Sequence, residues 1–460
     1  MKVLLINPPI PSYFYNREFY CPSSLLYLGA VLQENAHEVR VIDFKTCQRD
    51  NDPDDNFYQE KLISIIQQFL PDIIGFGSLF SGNFPDVLKL ARVAKTNFPK
   101  IFNVIGGIHP TLYAQEILEN CDSVDSIVLG EGEKTIIKII DAMTGKGSFA
   151  DIDGFAYKSN GKCIVNAKCT YIQDVDSIAF PAYELINLED YYVDTSKWHN
   201  PKGLPINTSL PVISSRSCPN RCSFCSMYQV MGPLWRARSP KNVVDEIEYL
   251  YKHYGHCHFS FMDDNFTFNK DRLLVICDEI IRRNLDIQFE TPNGISIKTL
   301  DQSMLDAMVN AGLTRISLAI ESGSDFIRNK IMKKRLSKEK IYEVMAMVRK
   351  YRQLYVSAFF IIGMPEETKE TLQETYNMIK NIRSDKTIVM NLVPFPGTAV
   401  YEQALRDDLL VDVQKDRLYL SDDRYFTNYD QIFLKPYNLK LEEMRQFRVK
   451  CIELLKNQQV

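Results

Sequence analysis

Two successive runs of alternating strand-like and helix-like segments predict an α/β protein with two parallel sheets. The first is an N-terminal doubly wound, Rossmann-like sheet; the second is a partial (β/α)6 barrel. Three observations carry this prediction. Short apolar runs of strand length alternate with longer segments of helical spacing. Nearly every such run ends in a Gly, Pro or polar turn. The pattern breaks once, over about residues 141–205, and so divides the chain into two α/β halves. The 460 residues are 45% hydrophobic and 24% charged, the balance of ordinary packed domains. A formal net charge of −4 offers no basic field for gripping nucleic acid. No apolar run reaches the roughly 18 residues of a membrane span. The N-terminal MKVLLINPP lacks a cleavage-site pattern and reads as a buried strand, so a cytoplasmic protein with reduced thiols is expected.

In the first half, strands are expected at 2–7 (KVLLIN), 38–43, 72–77, 101–105 and 126–129. Helices are expected at 23–33, with Ser23 or Ser24 as cap, at 58–69 and at 86–98. The third strand delivers Ser78, and the fourth delivers Gly106-Gly107-Ile108-His109-Pro110-Thr111. The fifth delivers Gly130-Glu131-Gly132-Glu133. Such turns lie at the C-terminal ends of the strands, where open sheets bind ligands. The domain organisation expected is 1–140, a connector over 141–205, the barrel over 206–400, and a helical cap over 401–460. Ser159-Asn160-Gly161 signals a hairpin within the connector.

In the second half, an apolar run at 210–214 precedes the densest chemistry in the chain: Ser217-Cys218-Pro219-Asn220-Arg221-Cys222-Ser223-Phe224-Cys225. Roughly 0.006 matches to this C-x3-C-x2-C spacing are expected by chance from eleven cysteines in 460 residues. The other eight show no such spacing and read as ordinary thiols. Three thiolates on one loop suit either zinc, with His256, Cys257 or His258 as fourth ligand, or an iron–sulfur cube. Beyond the loop, helices are expected at 243–253, 273–281, 300–311, 337–351 and 370–380. Strands are expected at 258–262, 287–291, 314–320, 356–362 and 386–392. Their turns carry Met262-Asp263-Asp264, Asn293-Gly294, Glu321-Ser322-Gly323, Gly363-Met364-Pro365 and Pro394-Phe395-Pro396-Gly397. A parallel barrel gathers such turns at one rim, with the cysteine loop. In the tail, a helix at 441–455 is expected, and Tyr419, Tyr425 and Tyr429 are candidates to line a pocket. Trp235 and Arg236 are ambiguous between packing and site.

The cysteine spacing with Phe224 before the third thiol resembles the radical S-adenosylmethionine (SAM) superfamily. The resemblance implies a [4Fe-4S] cluster on Cys218, Cys222 and Cys225, with SAM on its fourth iron. It further implies contacts to SAM from Phe224, Asp263, Glu321 and Gly363. The first half resembles cobalamin-binding domains, which carry a serine after the third strand and Gly-Gly after the fourth. Here 27 residues separate Ser78 from Gly106. That resemblance implies cobalamin contacts from Ser78, Gly106, Gly107 and His109. The cobalt-ligating histidine of better-known members is missing, since Asn7-Pro8-Pro9-Ile10 stands in its place. The loop 79–84, with Asn83 its polar residue, is then expected beneath cobalt. Together the halves resemble cobalamin-dependent radical SAM enzymes. The activity implied is methylation of an unactivated carbon of a small molecule, through a 5′-deoxyadenosyl radical and methylcobalamin. A cyclisation or rearrangement without methyl donation is the alternative, and a non-catalytic cobalamin or redox sensor the remote one. An external electron donor such as flavodoxin or ferredoxin is implied. No catalytic acid or base stands out.

Overall fold

The computed structural model describes residues 1–10, 20–48, 53–79, 81–191, 199–421 and 431–458. The chain forms two compact units. One comprises Met1–Val193 with Gln229–Gly232 and Gln414–Asn428; the other comprises the remainder.

The first unit is built on a seven-stranded sheet. Its strands are β1 (Lys2–Asn7), β2 (Glu38–Asp43), β3 (Ile73–Gly77), β4 (Phe102–Gly106), β5 (Ser126–Val128), β6 (Phe155–Ser159) and β7 (Lys162–Asn166), in the order β2-β1-β3-β4-β5-β6-β7. The first five are parallel. Strand order reverses between β1 and β3, the place where doubly wound sheets open a crevice for ligands. Val3 to Ile6 of β1 are at most 1% exposed, as a strand covered by helices on both faces must be. Helices Ser23–Glu34, Asp55–Phe69, Phe84–Asn97 and Glu133–Met143 supply that cover.

Two expectations change here. Pro22 takes the N-cap place of the first helix and no side chain caps it, so neither Ser23 nor Ser24 acts as cap. The hairpin read as part of the connector belongs to the sheet, because β6 pairs antiparallel with β5. Without it β5 would be a bare edge of unpaired N–H and C=O groups. Asn160 (φ 50°) and Gly161 (φ 72°) both take positive φ, as the two-residue hairpin turn requires.

The strand-end turns of this unit are interlocked. A Cβ on Gly107, at φ +124°, would lie 2.1 Å from the carbonyl oxygen of Ser78. Ser78 N–H in turn donates to Gly106 O at 2.7 Å. The serine after β3 and the second glycine after β4 therefore meet backbone to backbone. The Thr111 hydroxyl donates to Gly107 O at 2.7 Å and accepts from Gly130 N–H at 3.0 Å, tying the Gly-Gly turn to the Gly-Glu-Gly-Glu turn. His109 is fully buried between the rings of Phe84 and Tyr113. Its Nε2 lies 2.8 Å from Tyr419 O and its Nδ1 3.0 Å from Ser81 Oγ. A carbonyl can only accept, so the ring proton is assigned to Nε2.

The second unit is a six-stranded, all-parallel sheet. Strand β8 (Leu210–Val212) opens it. A short antiparallel ribbon of β9 (Ser215–Arg216) and β10 (Arg236–Ala237) follows, then β11 (His258–Phe261), β12 (Gln288–Ile295), β13 (Leu313–Glu321), β14 (Tyr355–Ile362) and β15 (Lys386–Asn391). The order β15-β14-β13-β12-β11-β8 is strictly sequential, so this is a partial barrel of six units. Each strand is followed by a helix: Pro240–Tyr254, Lys270–Arg282, Gln302–Asn310, Lys338–Val348, Lys369–Ile382 and Ala399–Arg406. All six start at a side-chain cap, namely Ser239, Asn269, Asp301, Ser337, Thr368 and Thr398. Each such cap contributes about 1 kcal/mol by satisfying an orphan N–H. The C-terminal helix Leu441–Gln458 packs beside β15 and Lys369–Ile382. Among the described residues no helix is long and apolar enough to cross a membrane.

Gly107→Ala is expected to destabilise the first unit by at least about 2 kcal/mol, through steric clash and positive φ. Gly106→Ala, whose Cβ would have 3.8 Å to its nearest neighbour, should cost under about 1 kcal/mol. Urea denaturation of the full chain checks the pair. Burial also pushes His109 from 6.5 down to about 4. Unfolding then takes up a proton between those values. The stabilisation is complete above pH 6.5 and fades as pH falls toward 4. His109→Gln should flatten that acid slope by up to about 1.4 kcal/mol per pH unit, read from melting temperature against pH.

Candidate functional site

The cysteine loop leaves the C-terminal end of β8 through a backbone that is gripped from below. Asp263, just past β11, is 2% exposed. It accepts from Ser214 N–H at 3.1 Å, from Ser214 Oγ at 2.8 Å and from the Ser215 hydroxyl. Asp264 accepts from Ser217 N–H at 3.1 Å. Ser217 is held at φ +68°, a left-handed conformation unusual for a non-glycine, immediately before Cys218. Burial raises the Asp263 carboxyl, and burial together with Asp263 pushes Asp264 up to about 7. The far side of the loop is stitched as well. Ser223 N–H donates to Met332 O and Val400 N–H to Ser223 O, both at 3.1 Å. Phe224 packs against a core of Ile327, Met332, Met364, Leu392 and Val400, so it anchors the loop.

Cys218, Cys222 and Cys225 are all partly exposed. Burial pushes each thiol up, Cys225 to about 12, so binding a metal centre requires each to lose a proton. Among the described residues no three His, Cys, Asp or Glu side chains could hold a single metal ion. A cube makes no such demand, because each thiolate binds a separate iron. The three thiols on one rigid turn fit that requirement. The zinc alternative loses its fourth ligands. His258 pairs with Gln288 at the start of β11, and its Nδ1 lies 2.8 Å from Ser209 Oγ. Cys257 Sγ faces Pro205 O at 3.5 Å. These residues, with His256 beside them, sit at the N-terminal end of the strand, opposite the end that the cysteine loop leaves.

Around the loop, Glu321 ends β13 at φ +71° and is 7% exposed. It accepts from Lys334 Nζ at 2.6 Å. Lys334 in turn favours the thiolates of Cys218 and Cys222. Asn265 Nδ2 lies 3.4 Å from Cys218 Sγ. Lys334 and Asn265 were not singled out by the sequence. The first carries no motif spacing, and the second sits in an ordinary polar turn. Gly363, at φ +96°, donates its N–H to Glu367, and Met364 N–H shares the same carboxylate oxygen at 3.3 Å. Glu367 is wholly buried, which pushes it up to about 7. A Cβ on Gly363 would meet Met444 Cε at 2.7 Å, so the C-terminal helix lies against this turn.

The remaining candidates separate clearly. Ser78 Oγ bonds to Asn83 Oδ1 at 3.3 Å, so the polar group expected beneath cobalt is already engaged. Leu79 beside it is 48% exposed at the end of β3. Both ring nitrogens of His109 have partners inside the unit. Tyr419 is half-buried and supplies the carbonyl to His109; Tyr425 and Tyr429 lie outside the described residues. Trp235 packs edge-on to Phe268 with its centroid 5.0 Å away, under the Arg272 guanidinium at 5.8 Å. Arg236 belongs to the β9–β10 ribbon.

The radical SAM superfamily model matches residues 212–379, and the B12 binding domain model matches residues 18–140. An uncharacterized methyltransferase of Pyrococcus horikoshii is 30% identical over 413 residues, 89% of this chain and 84% of that protein. The anaerobic magnesium-protoporphyrin IX monomethyl ester cyclase of Cereibacter sphaeroides is 29% identical over 397 residues, 85% of this chain and 61% of that protein. The radical SAM methyltransferase TsrM of Kitasatospora setae, solved with cobalamin and a [4Fe-4S] cluster, shares the fold. Its TM-score is 0.69 at 18% identity, over 88% of this chain and 75% of that one. The thiol loop, the Ser78–Gly107 contact and both family matches lead to one conclusion: this chain belongs to the cobalamin-dependent radical S-adenosylmethionine enzymes.

Proposed function

We propose that this enzyme transfers a methyl group to an unactivated carbon of a small-molecule substrate. The observation that carries the radical chemistry is three thiols on one braced turn beside an inward-facing acid–base pair, Glu321 and Lys334. Relatedness to a named methyltransferase over most of its length favours methyl donation. Relatedness to a named cyclase supports cyclisation or rearrangement as the second reading.

When bound, the [4Fe-4S] cluster supplies an electron to the SAM sulfonium and cobalamin carries the methyl group. The chain's part is to hold and orient. Cys218, Cys222 and Cys225 would hold three irons of the cluster. Asn265 donates toward Cys218 sulfur, the kind of contact that tunes a cluster's potential. Glu321 and Lys334 offer opposite charges side by side, complementary to the ammonium and carboxylate of an amino acid. The strain at Glu321 fits a functional position. Asp263, with its protein donors, braces the loop, and the Met262 N–H and carbonyl are taken by Val212 O and Asn293 Nδ2, which leaves the Asp264 backbone of this turn to face SAM. The Gly363 turn contacts the adenine with groups other than its N–H donors, because Glu367 takes those. Ser78, Gly106 and Gly107 line the crevice for cobalamin, and His109 shapes it without ligating cobalt. A bound cluster would take its electron from an external donor such as flavodoxin or ferredoxin, and the enzyme works in the cytoplasm.

Anaerobic protein reconstituted with iron, sulfide and cobalamin is expected to release 5′-deoxyadenosine from SAM under dithionite. With methyl-deuterated SAM and a panel of small molecules, the label should enter the product. Substrate turnover with 5′-deoxyadenosine but no label in the product would remove methyl transfer in favour of the cyclase reading. No 5′-deoxyadenosine at all would remove both.

A further inference from the structure

The cluster loop is hydrogen-bonded to the most basic stretch of the chain. Residues 328–340 carry Arg328, Lys330, Lys333, Lys334, Arg335, Lys338 and Lys340 against the single acid Glu339, in a protein of net charge −4. Within it, Met332 O accepts the Ser223 N–H between the second and third cluster cysteines at 3.1 Å. The segment sorts its charges by direction. Arg328 is wholly buried and binds Ser322 O at 2.6 Å and Leu336 O at 2.7 Å. Lys334 turns inward to Glu321. Lys333 (φ 58°) and Arg335 (φ 56°) flank it in left-handed conformation and point outward. Lys330, Lys333, Arg335 and Lys338 are exposed, and among the described residues none of the four has an ion-pair partner. Asn329 clamps the loop through Leu336, accepting its N–H at 2.7 Å and donating to its O at 2.9 Å. Phe326, 50% exposed, stands two residues before the segment.

Four exposed cations without a salt-bridge partner among the described residues crowd one clamped loop, with only the neighbouring Glu339 to offset Lys338. Such a field is a cost to the monomer unless an anionic surface meets it. Its position beside the thiol loop selects which anionic surface. The cluster must receive electrons one at a time, and a carrier docked here sits against the backbone that holds it.

We propose that the exposed face of residues 328–340 is the docking surface for a small acidic one-electron carrier protein, which delivers its electron to the cluster on Cys218, Cys222 and Cys225. This rests on the radical reading above. The step balances simply: the carrier is oxidised by one electron, the cluster is reduced by one, and no bond is made or broken. Opposite charges accelerate encounter and fix orientation.

The test compares two reductants on the full reconstituted enzyme, with 5′-deoxyadenosine as readout. Dithionite is small and needs no docking; a reduced flavodoxin does. Lys330→Glu with Lys338→Glu is expected to cut the flavodoxin-driven rate at low salt at least about tenfold while leaving the dithionite-driven rate within about twofold. Lys333→Gln with Arg335→Gln, which adds no acid, should cut it about threefold or more. In the wild type, raising salt should slow the flavodoxin route alone, because screening weakens exposed charges. A salt-indifferent wild-type flavodoxin rate would overturn the proposal, and that measurement depends on no variant. So would charge-reversed enzyme that keeps its flavodoxin rate, including one that has instead lost binding to anionic phospholipid vesicles. Wild type inert to dithionite would overturn the radical reading itself, whereas wild type active with dithionite but salt-indifferent with flavodoxin overturns only the surface.

Discussion

The barrel half depends on one buried carboxylate. Asp263 sits at the end of β11 and gathers the amide and hydroxyl of Ser214 and the hydroxyl of Ser215. A carboxylate out of water is tolerable only with such donors, so the three bonds and the burial enforce one another. The consequence is a fixed exit from β8, and Ser217 is carried into a strained left-handed turn just before the first thiol. A second clamp closes from above. Arg272 reaches Ser214 O at 2.7 Å and Arg238 O at 2.8 Å, and Arg238 pairs with the buried Glu246. A loop so held presents its sulfurs in one arrangement, which an inorganic cube with fixed edges requires and a flexible peptide cannot supply.

The first unit solves a different problem by close approach. Its candidate cofactor turns contain few free polar groups, because the turns spend them on one another. Ser78 bonds to Asn83 and to Gly106, Thr111 bridges two glycine turns, and His109 is spent on Ser81 and Tyr419. What remains at the switch point is shape, with Leu79 standing out at the end of β3.

The sequence made most of this legible where one residue type has one physical use. C-x3-C-x2-C located the loop, and Gly106-Gly107 with Ser78 located the turns, because only glycine admits the contact that the structure contains at Gly107. The sequential strand order of the barrel followed from alternation alone. Other features were hidden because the signal is not local. The hairpin at Asn160-Gly161 was readable, but not its partner β5, since an edge is defined only once the sheet exists. Lys334 joins Glu321 through an unusual backbone path over residues 324–336, which includes a π-helical turn at Phe326–Ile331. No spacing rule announces that. The family resemblance implied a SAM contact from Asp263, and its burial among serines became visible only in three dimensions.

The central claim is that this loop holds a [4Fe-4S] cluster open to SAM, and electron paramagnetic resonance tests it most directly. Anaerobically reconstituted, dithionite-reduced protein should give the signal of a one-electron-reduced cube, and adding SAM should shift that signal, with both lost when Cys222 is changed to Ala. A protein that takes up no iron, or a cluster signal that SAM leaves untouched, would contradict the account.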